Sequence, residues 1–152
     1  MALQIGDKAP EILGQNQDGK EIKLSEFAGK KLVLYFYPKD NTPGCTAQAC
    51  SLRDEYSELR AKGYEVLGVS VDSMASHQKF IQKHELPFNL ISDGDKTLSE
   101  LFGTWGEKKL YGKSYMGMLR TTFIISESGI IEKIISPKEV NTKEHGTQVM
   151  SL

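Results

Sequence analysis

The sequence predicts an α/β fold in which a mixed central β-sheet is flanked by helices and preceded by an N-terminal β-hairpin. Three observations lead there. Apolar runs at residues 32–37 and 64–71 are short and continuous, as in strands buried on both faces. They alternate with helical stretches at 45–63 and 74–85, which implies parallel crossover connections. Two further β-runs, 119–126 and 130–136, are separated only by Glu127-Ser128-Gly129, so they return antiparallel and make the sheet mixed. A chain of 152 residues suits one domain, 1–152, around one good core.

Each element has a local reason. Residues 11–29 hold two short strands around Asp18-Gly19, a favoured hairpin pair, and Ser25 is placed to cap a helical turn before Gly29. The strand at 32–37 ends at Pro38. In the helix 45–63, Ala49, Leu52, Tyr56 and Leu59 keep a three-four spacing, and Gly63 stops it. Asp72 or Ser73 caps the helix 74–85, which ends before Pro87. A short strand at 88–92 precedes a turn and a short helix closed by Gly103. Residues 104–117 read as the longest connection, rich in glycine, lysine and tyrosine, and so as a candidate functional loop. The last helix falls within 140–152, with Gly146 as its weak point.

With 39% hydrophobic and 26% charged residues the chain is an ordinary globular one. A net charge of −1 argues against a broad footprint for nucleic acid or an anionic membrane. No apolar run nears the roughly 20 residues that span a bilayer. The start "MALQIGDKAP" has no basic region followed by an apolar core, so the expected compartment is the cytoplasm.

The only two cysteines, Cys45 and Cys50, lie together in "PKDNTPGCTAQAC". A free cysteine is often just a small buried hydrophobe, so the context has to argue otherwise. Cys45 follows a buried strand and a Thr42-Pro43-Gly44 bend, on the first turn of a helix. Unpaired N–H groups and the positive end of the helix dipole favour a thiolate there, and the thiolate is the reactive form. Thr42 can set a hydroxyl beside the sulfur. On one intact helix, residues five apart have Cα atoms about 8–9 Å apart, beyond the roughly 7 Å limit for a disulfide. Bonding the two sulfurs requires the helix to unwind, which is easiest near a helix end. No third cysteine exists and His77, His84 and His145 are scattered, so they read as surface residues and no metal is expected.

The segment "YFYPKDNTPGCTAQAC" resembles the active-site segment of peroxiredoxins, in particular the bacterioferritin-comigratory-protein or peroxiredoxin Q subfamily. The pattern Pro-x-x-x-Thr-x-x-Cys falls on Pro38, Thr42 and Cys45, and the second cysteine five positions on marks the subfamily. The likeness continues through "VLGVSVD", "LISD", "FGTWGEKK" and "GMLRTTFII", nearly the whole chain.

This resemblance implies a thioredoxin-like fold and a thiol peroxidase for hydrogen peroxide and organic hydroperoxides. Cys45 would be the peroxidatic cysteine, oxidised to sulfenic acid. Cys50 would be the resolving cysteine, forming an intramolecular disulfide that thioredoxin or a similar dithiol protein reduces. Arg120 would supply donors to the sulfur and the peroxide, Thr42 would orient the peroxide, and Pro38 would shield the sulfur. Gln48 stands where many members carry a glutamate beside the arginine. No cofactor is implied. A monomer is favoured, with a dimer as the alternative. Trp105 reads as a loop or core anchor, Met116 and Met118 as packing or as the lining of an apolar site, and Lys39 and Asp40 as solvated loop residues. A disulfide oxidoreductase fits the Cys-x₄-Cys spacing poorly, and a redox sensor would need a partner-binding segment that the sequence does not display.

Overall fold

The computed structural model describes residues 2–152. A hairpin, β1 (Ile12–Gln15) with β2 (Glu21–Lys23), runs into a 3₁₀ turn at Leu24–Phe27. Then follow β3 (Lys31–Phe36), α1 (Pro43–Asp54), α2 (Tyr56–Ala61), β4 (Tyr64–Ser70), α3 (Met74–His84), β5 (Asn89–Ser92) and α4 (Thr97–Leu101). The chain closes with β6 (Trp105–Leu110), β7 (Lys113–Met118), β8 (Thr121–Ile125), β9 (Ile131–Ile135) and α5 (His145–Met150). The central sheet has five strands in the order β5-β4-β3-β8-β9. β3 pairs parallel to β4 and antiparallel to β8, which makes the sheet mixed as expected.

Alternation along β3 divides the core between the two faces of the sheet. Leu32, Leu34 and Phe36 pack with residues of the N-terminal hairpin and α4. Val33, Tyr35 and Tyr37 pack with Cys45, Ala49 and Leu52 of α1, Leu59 of α2, Phe80 of α3 and Val149 of α5. The apolar run reads as continuous because both faces are covered.

Several expectations need correction. The helix at 45–63 is two helices, broken at Glu55 (φ −96°, ψ 3°). The 3₁₀ turn starts after Lys23, whose N–H donates to Glu26 Oε2 at 2.7 Å; Ser25 lies inside the turn and does not cap it. Ser73 is the cap of α3, accepting from Ser76 N–H at 3.1 Å. Residues 104–117 are mostly not a loop: β6 and β7 pair from Trp105↔Met118 to Leu110↔Lys113. Tyr111 and Gly112 turn the chain with φ of 51° and 76°, as a two-residue hairpin turn requires. Gly146 is a close-approach position rather than a weak point. A Cβ there would sit 2.8 Å from Glu55 Cβ and 2.9 Å from Ser51 O, so only glycine lets α5 dock on α1.

His145 is buried, not superficial, and it anchors α5 to the sheet. Its Nδ1–H donates to Gln148 Oε1 and its Nε2 accepts from the Thr122 hydroxyl, both at 2.9 Å, so the ring is neutral. Burial pulls its pKa down to about 4, against a hydrogen bond to Gln148 that works the other way. An unfolded histidine binds its proton near 6.5, so below that pH the unfolded chain holds more protons than the fold. The His145 contribution is therefore complete above about pH 6.5 and is lost as pH falls towards 4, by on the order of 3 kcal/mol. Urea titrations at pH 7.5, 5.5 and 4.5 should show a shallower acid loss for His145→Gln than for the wild type. Identical slopes would show that this histidine does not set the acid limb.

Candidate active site around Cys45

β3 delivers the chain to Pro38, half-buried at the end of the strand, and the segment to Thr42 is then tied down from below. Asp40 is 4% exposed, contrary to the expectation of a solvated loop residue. Its carboxylate accepts from the Tyr37 hydroxyl at 2.6 Å and the Ser76 hydroxyl at 2.9 Å, and stands 2.7 Å from His77 Nδ1. His77, also buried, donates Nε2–H to Ile91 O at 2.9 Å. The Asp40 N–H donates to Asp72 Oδ2, which also accepts from the Ser70 hydroxyl. Asp40, Asp72 and His77 bring ligand-type atoms within 4.8 Å of one another, but those atoms are tied up in this network. A buried carboxylate needs such partners, and they fix the loop on β3, β4 and α3.

From this anchor the chain turns sharply. Asn41 is left-handed (φ 62°), Thr42 is extended at the N-cap, and Pro43 opens α1, where its missing N–H costs nothing. The Thr42 hydroxyl donates to Lys39 O at 2.8 Å. Its proton therefore braces the loop, and among the described residues no Thr42–Cys45 side-chain bond forms. Cys45 is third in α1 and 1% exposed, on the helix turn whose amides lack helical partners.

Arg120, just before β8, reaches the sulfur: Nη2 donates to Cys45 Sγ at 3.4 Å. Nη1 donates to Gln48 Oε1 at 2.7 Å, so position 48 holds the guanidinium with a neutral amide rather than by an ion pair. The Gln48 Nε2 and the Tyr35 hydroxyl are buried and have no hydrogen-bond partner among the described residues. Gly44 makes room for the approach, since a Cβ there would lie 3.2 Å from Arg120 Nη2. A thiolate here faces a helix start and a guanidinium in a site nearly closed to water, an arrangement suited to a buried nucleophile.

Both cysteines are free thiols. Cys50 lies on the same unbroken α1, which keeps the Cα atoms about 8–9 Å apart. Its Sγ is 3.9 Å from His84 Nδ1, and Arg53 Nη1 donates to His84 O at 2.8 Å.

The β6–β7 hairpin brings one group that the sequence reading missed. Lys108 Nζ donates to Met118 O at 2.9 Å, its stem crossing Gly117, where a Cβ would lie 2.9 Å from Lys108 Cδ. Burial lowers its pKa, Arg120 lowers it further and Cys45 raises it, so the charges of Arg120 and Cys45 are both felt at this cation. The alternation of a hairpin would have pointed to it, had 104–117 been read as strands. Of the methionines, Met118 is in the core and Met116 is exposed on the opposite strand face from Lys108. Trp105 packs against the core, with Lys96 Nζ 4.8 Å over its ring.

Residues 5–134 match the AhpC/TSA family. A putative peroxiredoxin bcp of Coxiella burnetii is 47% identical over 134 residues, 88% of this chain and 89% of that one. Peroxiredoxin Bcp of Bacillus subtilis is 43% identical over 150 residues, 99% and 94% of the two chains. Among solved structures, the bacterioferritin comigratory protein of Xanthomonas campestris superposes with a TM-score of 0.83 at 34% identity, covering 95% of this chain and 96% of that chain. That protein was studied for alkyl peroxide reduction as a trapped intermediate/ligand complex.

The placement of Lys108 leads to a direct test. Lys108→Met removes a cation coupled electrostatically to the sulfur and should slow alkylation of Cys45 by iodoacetamide at neutral pH about fivefold, the equivalent of roughly 1 kcal/mol of charge attraction. An unchanged rate would place Lys108 outside the field felt by Cys45.

Proposed function

The chain belongs to the AhpC/TSA family, and on that footing we propose that it is a thiol peroxidase reducing hydrogen peroxide and organic hydroperoxides through Cys45. The observation that carries the reading is the Arg120 guanidinium 3.4 Å from a sulfur seated on the first turn of a helix.

The Cys45 thiolate attacks one peroxide oxygen. An S–O bond forms as the O–O bond breaks, and the departing oxygen leaves as water or an alcohol after taking a proton. Arg120 donates to the sulfur and to the oxygens on which charge develops. Thr42 orients the peroxide from the helix cap, Pro38 shields the sulfur from water, and Gln48 keeps the guanidinium in place. The sulfenic acid at Cys45 then condenses with Cys50, releasing water and forming an intramolecular disulfide. The unbroken α1 keeps the sulfurs apart, so this step follows local unwinding.

A dithiol protein such as thioredoxin restores both thiols by exchange. The cycle draws on no metal or organic cofactor, and one chain suffices because both cysteines belong to it; this supports a working monomer in a reducing cytoplasm.

Mass spectrometry after one equivalent of peroxide should find a Cys45–Cys50 disulfide within one chain. Cys45→Ser should abolish turnover, and Cys50→Ser should consume one equivalent and then stall as sulfenic acid with a dithiol-protein reductant. Normal turnover by either variant would sink the corresponding assignment. Arg120→Ala loses charge-assisted donors worth about 1.5–3 kcal/mol each, so the second-order rate with peroxide should fall at least about tenfold. A near-normal rate would mean that the guanidinium does not act on the first step.

A further inference from the structure

We propose that His84 is the catalytic base for the second chemical step, taking the proton of the Cys50 thiol through Nδ1. The inference rests on the reading of Cys50 as the resolving cysteine. An ordinary thiol, with a pKa of about 8.5, is only a few per cent thiolate at neutral pH, and the thiolate is the attacking form. Cys45 has a helix start and a guanidinium to favour its anion. Cys50 lies in the body of α1, where neither acts, yet its Sγ is 3.9 Å from an imidazole nitrogen.

The imidazole is held in place. His84 is the last residue of α3, which Glu85 ends in the left-handed conformation (φ 52°, ψ 48°). Arg53, three residues beyond Cys50, donates to His84 O at 2.8 Å, so one face of α1 grips both the main chain and the ring of this residue. Phe80 packs edge-on against the ring with centroids 5.1 Å apart. The charged and titratable groups facing the ring are Cys50 and Arg53 from α1, with Asp54 paired to Arg53, and Lys83 and Glu85 alongside it in the chain. Burial, then Lys83 and Arg53, lower the His84 pKa, which favours the neutral ring that a base requires.

In the step, the Cys50 proton passes to Nδ1 while α1 is closed, and after local unwinding the thiolate attacks the sulfenic sulfur of Cys45. The S–S bond forms and the S–O bond breaks. The hydroxide that leaves takes a proton and becomes water. Cys50 sulfur is oxidised, Cys45 sulfur is reduced, and the imidazolium returns its proton to solvent.

The test follows reduced protein after one equivalent of hydrogen peroxide by rapid quench, with thiol trapping and mass spectrometry from pH 5.5 to 9. His84→Gln should form sulfenic acid at the wild-type rate, which also shows that the first site is intact. Its disulfide should form about tenfold or more slower at pH 6.5 and speed up steeply towards the thiol pKa, in line with the effect of a lost general base. Added imidazole should restore the rate in His84→Ala. If His84 were only a structural latch on α1, its loss would speed the disulfide step, so acceleration, or a wild-type rate and pH profile, overturns the proposal. If the wild type forms no Cys45–Cys50 disulfide, the reading of Cys50 fails first and this inference falls with it.

Discussion

The antiparallel register of β3 and β8 is the constraint from which the site follows. Phe36 stands opposite Thr121, so the end of β3 and the start of β8 meet at the same edge of the sheet. The residue before β8 is Arg120, and the segment leaving β3 leads to Cys45. Seventy-five positions of sequence thus become a 3.4 Å contact. The parallel strands β4 and β5 contribute at the same edge: Tyr37 N–H donates to Val69 O, and Ser70, Asp72 and Ile91 at the ends of β4 and β5 receive the Asp40–His77 network. In open α/β sheets this carboxyl edge is where sites gather.

The two ends of α1 are held by different means. Its entry is fixed by buried hydrogen bonds to Asp40 and by the guanidinium at Cys45. Its far half has fewer polar ties, Gly146 N–H to the Ser51 hydroxyl at 3.0 Å and Arg53 to the end of α3, beside the buried Leu52. The first arrangement suits a nucleophile that must not move. The second suits a segment that must let go, because local opening draws on elements with few buried polar ties.

The order of the five central strands along the chain, the mixed sheet and the place of Cys45 were legible because they rest on local signals: apolar runs, turn pairs and a Thr-Pro-Gly helix start. Pairing Arg120 with Cys45 came from the family resemblance; no local pattern marks an arginine for a partner 75 positions away. Asp40, His77 and His145 were misread as surface residues. A polar residue is buried when partners from other elements satisfy it, and those partners, Tyr37, Ser76, Ile91 O and Thr122, are known only once the sheet is assembled. The β6–β7 hairpin hid behind its composition. Lysine, glycine and tyrosine look like loop material, and the turn uses Tyr111 where Asn or Asp is the usual signal.

The unpaired amide of Gln48 bears on how readily α1 gives way. Its oxygen serves Arg120, while its nitrogen is buried and meets no acceptor among the described residues. An isolated buried donor costs about 1–3 kcal/mol. That penalty belongs to the closed helix alone, because unwinding exposes the amide to water and removes it. The group that steadies the arginine therefore also narrows the energy gap to the open form, and the intact helix carries within itself part of the drive to come apart.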